Sequence, residues 1–206
     1  MENLTNQSCA GFAAALASKA PVPGGGGASA LVGALGAALC SMVANYTVGK
    51  KKYADVEEDV KAILAEAEEL REKLLALVEE DAAAFEPLSR AYAIPKDDPG
   101  RDEVMERCLR AAAAPPMELL RLSRRVIELH RELLDKGSVM VLSDVGTGAA
   151  LCGAALRGAA LNVRVNTRLM RDRAYAEAMD LEVDRLVEEN WDVAETVFED
   201  VLGRYC

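Results

Sequence analysis

Aromatic side chains are scarce in this chain, at 4% of residues, and histidine occurs once, as His130. A core without aromatics must be filled by aliphatic side chains and close backbone approach, which helix packing permits. Five cysteines (Cys9, Cys40, Cys108, Cys152 and Cys206) are scattered, odd in number and form no CxxC pair. With a single histidine, a Cys/His metal site is not expected. Reduced thiols in a cytoplasmic protein are the expected state. A basic excess is also missing: the net charge is −10. That speaks against nucleic acid or an anionic membrane as general partners, since both demand clustered cations. The N-terminus MENLTNQSC lacks the basic region of a secretory signal.

The longest stretch without charge runs from Ala20 to Gly49. It opens on Pro21 and Pro23, passes through Gly24 to Gly27, and continues in Ala, Gly and Ser with few large apolar residues. A membrane span needs about 20 strongly apolar residues, so a buried helix is the better reading.

What is abundant is Ala, Leu, Glu, Lys and Arg, the composition of helices. The spacing predicts a first helix capped by Thr5 and reaching Ser18, a break from Pro21 to Gly27, and a second helix from Ala28 to Tyr46. Small residues at Ala30, Gly33, Ala34, Ala37 and Ala38 would let another helix lie close to the second. A third helix, from Asp55 to Tyr92, carries the clearest periodicity. Val56, Val60, Ile63, Ala67, Leu70, Leu74, Leu77, Asp81, Ala84 and Leu88 alternate steps of four and three. After a loop at Tyr92 to Gly100, a fourth stretch begins at Asp102. Pro115 and Pro116 should kink or interrupt it, because proline has no amide to donate. Helix resumes at Met117 and stops at Gly137. A fifth helix, capped by Ser143 or Asp144, runs to Leu169, and a last one from Ala174 to Leu202. No strand pattern is present. The expected fold is an all-α antiparallel bundle forming one domain over residues 1–206.

Asp81 is the most informative residue, because it stands on an apolar seam. A carboxylate there loses water, its neutral form is favoured and its pKa rises. Two readings follow: a proton carrier, or one half of an ion pair with a Lys or Arg of another helix. The glycines Gly24, Gly25 and Gly26, with Ser29, precede a helix whose free amides could cradle an anion or a ligand. They do not form a Walker A loop, for no lysine follows at the required spacing. Lys50, Lys51 and Lys52 are the main basic run, read either as a complement to a helix C-terminus or as a landing point for a polycarboxylate. Arg164 and Arg168 offer an alternative patch. Asn162 and Asn166, four apart, share a helix face and need hydrogen-bond partners, in another helix or a heterocycle. Asp144 is a further candidate polar group, and His130 reads as structural.

Three segments, in order, resemble the cyclodeaminase/cyclohydrolase family: PVPGGGGASALVGALGAALCSMVANYTVGKKKY, then EEDAAAFEPLSRAYAIPKD at residues 79–97, then SDVGTGAALCGAALRGAALNVRVN at residues 143–166. The family comprises the cyclodeaminase domain of formiminotransferase-cyclodeaminase and stand-alone methenyltetrahydrofolate cyclohydrolases. Gly27 departs from it, standing where the family more often shows Ser, so the loop lacks that hydroxyl. The resemblance implies an all-α homodimer, a tetrahydrofolate derivative as substrate, and Asp81 of the DA-x-AF pattern as acid/base. It implies no metal or organic cofactor. No formiminotransferase domain is expected beside this one within the 206 residues. The expected reaction is hydrolysis of 5,10-methenyltetrahydrofolate to the 10-formyl form. Formiminotetrahydrofolate cyclodeamination with ammonia release is the alternative, and a folate-binding helical protein without catalysis the third possibility. For the site itself, Leu77 and Ala84 are expected in the pocket wall, with Asp144, Asn162 and Asn166 facing Asp81.

Overall fold

A computed structural model describes residues 3–206. Six α-helices make up the architecture, and no strand occurs among the described residues. They are α1 (Cys9–Leu16), α2 (Gly25–Asn45), α3 (Glu57–Ala91), α4 (Arg101–Lys136), α5 (Leu142–Thr167) and α6 (Arg173–Gly203).

The starts differ from expectation where capping decides. Thr5 lies in a short 3₁₀ turn, Leu4–Asn6, and the side chain of Ser8 accepts from the Gly11 amide to begin α1. The second helix starts at Gly25, three residues early, because the Ala28 amide already bonds the Gly24 carbonyl at 3.0 Å. Neither Ser143 nor Asp144 caps α5: the cap residue is Val141, without a side-chain bond, and Asp144 sits in the first turn. There its charge complements the helix dipole. Asp172 caps α6 by accepting from the Tyr175 amide.

The third helix follows its periodicity. Val60, Ile63, Ala67, Leu70, Leu74, Leu77 and Leu88 are all buried. The fourth is not interrupted. Pro115 and Pro116 lie inside a continuous 36-residue helix, both buried. Each proline leaves the carbonyl four residues back without its amide. For Pro115 that carbonyl belongs to exposed Ala111, open to solvent; for Pro116 it belongs to buried Ala112. The Asn166 Nδ2 of α5 donates to the Ala112 carbonyl at a long 3.4 Å, so a neighbouring helix supplies what the chain cannot.

At the centre, α2 and α5 run antiparallel, with glycines making room for Cys152, Ser29 and the His130 ring of α4. A Cβ on Gly36 would lie 2.3 Å from Cys152 Sγ, one on Gly148 2.2 Å from the His130 ring, and one on Gly158 2.2 Å from Ser29 Oγ. By length and composition both helices could cross a membrane, but they pack here among α3, α4 and α6 as core helices. One face of the pair stays open, with Leu35 51%, Val165 52% and Leu161 72% exposed.

His130 is fully buried between these helices and donates from Nε2 to the Gly36 carbonyl at 3.0 Å, while Nδ1 has no partner. Burial drives its pKa down to about 4. Ion pairs lace the outer faces, notably Arg125 with Glu66 and Arg121 with Glu182. All five cysteines are free, with Cys9 and Cys206 exposed and the other three buried.

Candidate functional site

Four helices converge where α2 begins. Asp81 of α3 rests on the first turn of α2, so tightly that a Cβ on Gly26 would fall 2.2 Å from Oδ1. Only glycine allows that approach. Burial raises the Asp81 pKa above the usual carboxylate range, and a hydrogen bond from the Gly27 amide draws it part of the way back. No lysine or arginine contributes to that shift. The ion-pair reading therefore finds no partner among the described residues. The carboxyl group faces a cavity of about 180 Å³.

The cavity wall is built by Pro21, Val22, Gly24, Gly25 and Gly26 on one side, Asp81 and Phe85 of α3 on another, and Ala112, Asn162, Val165 and Asn166 on the third. Of the expected set, the structure brings together Asp81, the three glycines and both asparagines. Asn162 stacks on the glycine turn, 3.4 Å from the Cβ position of Gly25. Its Nδ2 donates to the Gly158 carbonyl at 2.8 Å, and Asn166 Nδ2 donates to the Asn162 carbonyl at 2.9 Å.

Other expected members stand elsewhere. Ser29 turns its hydroxyl back to the Gly25 carbonyl at 2.7 Å and packs on Gly158, so it lines the helix contact and not the cavity. Asp144 lies at the opposite end of α5 from Asn162, about 27 Å away along the axis at 1.5 Å per residue. Lys50, Lys51 and Lys52 follow the C-terminus of α2, about 30 Å from its glycine turn. There Lys50 bonds Ser138 Oγ at 3.3 Å and lies over the Tyr46 ring, while Lys52 lies over Tyr53. Within one chain these lysines serve that end of the bundle. Leu77 is buried in the core, and neither it nor Ala84 lines the cavity. The wall role falls to Phe85, one helical turn beyond Asp81, a position that the i+4 rule could have flagged.

A larger, more open hollow of about 600 Å³ lies between α4 and α6. Two of its carboxylates are engaged by Arg121: Glu118 at 3.4 Å, and Glu182 through a bidentate pair at 2.9 and 3.0 Å that lowers its pKa. Size alone favours this hollow, but the poised acid lies in the smaller one. Among the described residues no three His, Cys, Asp or Glu side chains gather as metal ligands.

A carboxyl without an ion-pair partner, its pKa raised by burial, together with the amides of the glycine turn and two positioned carboxamides, suits proton transfer on a polar ring system. Comparison with known proteins points the same way. A profile of the formiminotransferase-cyclodeaminase family matches residues 8–185. The chain is 41% identical over 203 residues to a methenyltetrahydrofolate cyclohydrolase of Methylorubrum extorquens, covering 97% of this chain and 98% of that protein. It is 30% identical over 192 residues to the formimidoyltransferase-cyclodeaminase of Mus musculus, covering 91% of this chain but 36% of that protein. Among solved structures, the formiminotetrahydrofolate cyclodeaminase of Thermotoga maritima superposes with a TM-score of 0.85 at 29% identity, covering 97% of this chain and 99% of that one.

Proposed function

The chain belongs to the formiminotransferase-cyclodeaminase family, and on that premise we propose that it hydrolyses 5,10-methenyltetrahydrofolate to 10-formyltetrahydrofolate with Asp81 as proton carrier. The carrying observation is the unpaired Asp81 carboxyl facing a cavity, its pKa raised by burial. The near full-length similarity to a cyclohydrolase supports this reaction over others of the family.

The substrate carbon is an amidinium bridging N5 and N10. Water adds to it, and Asp81 accepts the proton that water sheds. The resulting tetrahedral carbon collapses, the bond to N5 breaks, and Asp81 returns the proton to N5. The formyl group stays on N10, and the net products are 10-formyltetrahydrofolate and one proton. A carboxyl whose pKa is raised is suited both to take and to return a proton, which is worth ~10²–10⁴-fold in rate. The cavity of about 180 Å³ is sized for a ring system, so the glutamate tail extends beyond it.

A second reading rests on the Thermotoga and mouse relatives. In it N10 attacks a formimino carbon on N5, and Asp81 protonates the nitrogen that leaves as ammonia. Both reactions pass through a tetrahedral carbon between the same two nitrogens, so one site suffices. The chain acts as a two-fold homodimer through the open face of α2 and α5, needs no metal or organic cofactor, and works in the cytoplasm, where its five free thiols stay reduced.

The test is Asp81→Asn, which keeps the shape and removes the ionisable group. Loss of methenyl absorbance and release of ammonia are followed on the two folate substrates. We expect kcat to fall by ~10²-fold or more, with a melting temperature unchanged or higher, because a carboxylate that is costly to bury is gone. Wild-type turnover on both substrates would falsify the assignment.

A further inference from the structure

Two carboxamides line the cavity, and their hydrogen bonds to protein show which of their polar groups are already spent. A backbone carbonyl can only accept, so the group that meets it must be the amide nitrogen. Asn162 Nδ2 meets the Gly158 carbonyl, and Asn166 Nδ2 meets the carbonyls of Asn162 and Ala112. Both N–H groups of Asn166 Nδ2 are thereby spent on protein, whereas Asn162 Nδ2 keeps one N–H free, and no donor reaches either Oδ1 among the described residues. Both side chains line the cavity. Of the two, Asn166 is only 8% exposed, which holds it in place.

The Asn166 arrangement has a cause outside the cavity. Ala112 has a carbonyl to offer because Pro116, four residues on, has no amide. Pro116 itself is buried and lines neither of the two hollows described above. An alanine there would restore the helical hydrogen bond, so the Ala112 carbonyl would serve its own helix and Asn166 at once, and the already long 3.4 Å bond to Asn166 would weaken.

We infer that Asn162 and Asn166 present a fixed pair of hydrogen-bond acceptors that selects a ligand ring by its N–H donors, and that Pro116 is a positioning residue for this pair. The inference rests on the folate reading above and specifies the ligand edge: an aminopyrimidinone whose ring N–H and exocyclic amine lie side by side. The free amides of the α2 turn complement it with donors for a ring carbonyl. Asp81 is left free for the proton.

The decisive variant is Pro116→Ala. Proline is the poorest residue for a helix interior and alanine the best, so the melting temperature should rise or hold. KM for methenyltetrahydrofolate should nevertheless rise about fivefold, with kcat changed less than twofold. A purely structural role gives the first effect without the second. As a second measurement, calorimetry compares tetrahydrofolate with its 2-desamino analogue. Wild type should bind the analogue at least tenfold more weakly, and Asn166→Leu should lose most of that preference.

Unchanged KM in Pro116→Ala, with wild-type protein active, overturns the inference and leaves the folate reading standing. So does equal binding of the two ligands by wild type. A variant that melts lower and loses kcat and KM together has a fold defect, which also counts against it. Wild-type protein that neither binds tetrahydrofolate nor turns over either substrate removes the functional reading and this inference together.

Discussion

His130 and Asp81 are both deprived of water, yet the pH dependence they impose on stability has opposite sign. His130 is neutral in the fold, its pKa pushed by burial down to about 4 from the ordinary histidine value of 6.5. The unfolded chain therefore binds its proton first, and the stabilisation present above pH 6.5 is lost as pH falls toward 4. Between pH 7 and pH 5 the loss amounts to about 2 kcal/mol. Asp81 has its pKa raised in the fold, so the folded chain holds the proton longer, and stability falls as pH rises through that window above 3.8. Urea unfolding at pH 7 and pH 5 should thus show a net decline on acidification, led by His130. His130→Gln should abolish most of that decline, whereas Asp81→Asn should make the decline steeper. An unchanged slope in His130→Gln would mean that the ring is hydrated in solution. The importance of Asp81 could be read from its place in a row of leucines. The role of Pro116 could not, because a missing amide acquires meaning only when a buried carbonyl and an asparagine from another helix come beside it.

Helix α5 meets α2 and α4 through glycines, and the element-scale prediction concerns its contact with α4. Gly148→Ala would put a methyl 2.2 Å from the buried His130 ring, which has no room to retreat. Overpacking of this kind costs about 1–3 kcal/mol. Gly203→Ala is the control: nothing lies within 4 Å of its Cβ position, and alanine favours helix there by up to about 1 kcal/mol. Thermal melts of the two variants should move in opposite directions. If Gly148→Ala melts like the native chain, the helices sit further apart than described. Six helices and the long seam of α3 were legible because their periodicity extends over many turns. The unbroken path of α4 was not, since a proline pair argues locally for a break that tertiary packing overrides. The same limit applies to Asp144 and the three lysines. Sequence shows them as polar residues near a ligand-like motif, but rigid helices carry them about 27–30 Å from it.

For the whole molecule, the exposed Leu35, Leu161 and Val165 form an apolar face along the α2 and α5 pair. A closed two-fold contact between copies would cover this face on both partners at once. Leu161→Arg changes a side chain that is 72% exposed. Sedimentation equilibrium should find the native chain as a dimer and this variant shifted to monomer, with melting temperature little changed. A native chain that sediments as a monomer at micromolar concentration would exclude the dimer.

The glycine contact beneath Asp81 has a consequence for conformational freedom. A long side chain used as a prop can hop between rotamers, and freezing it costs up to about 2 kcal/mol of entropy, whereas glycine has no rotamer to freeze. Asp81 leans on the Gly26 backbone, and that turn is anchored in a helix packed by further glycines. The surface that supports the carboxyl has no alternative side-chain states, so its geometry is set before any ligand arrives and the binding step orders little but the ligand itself.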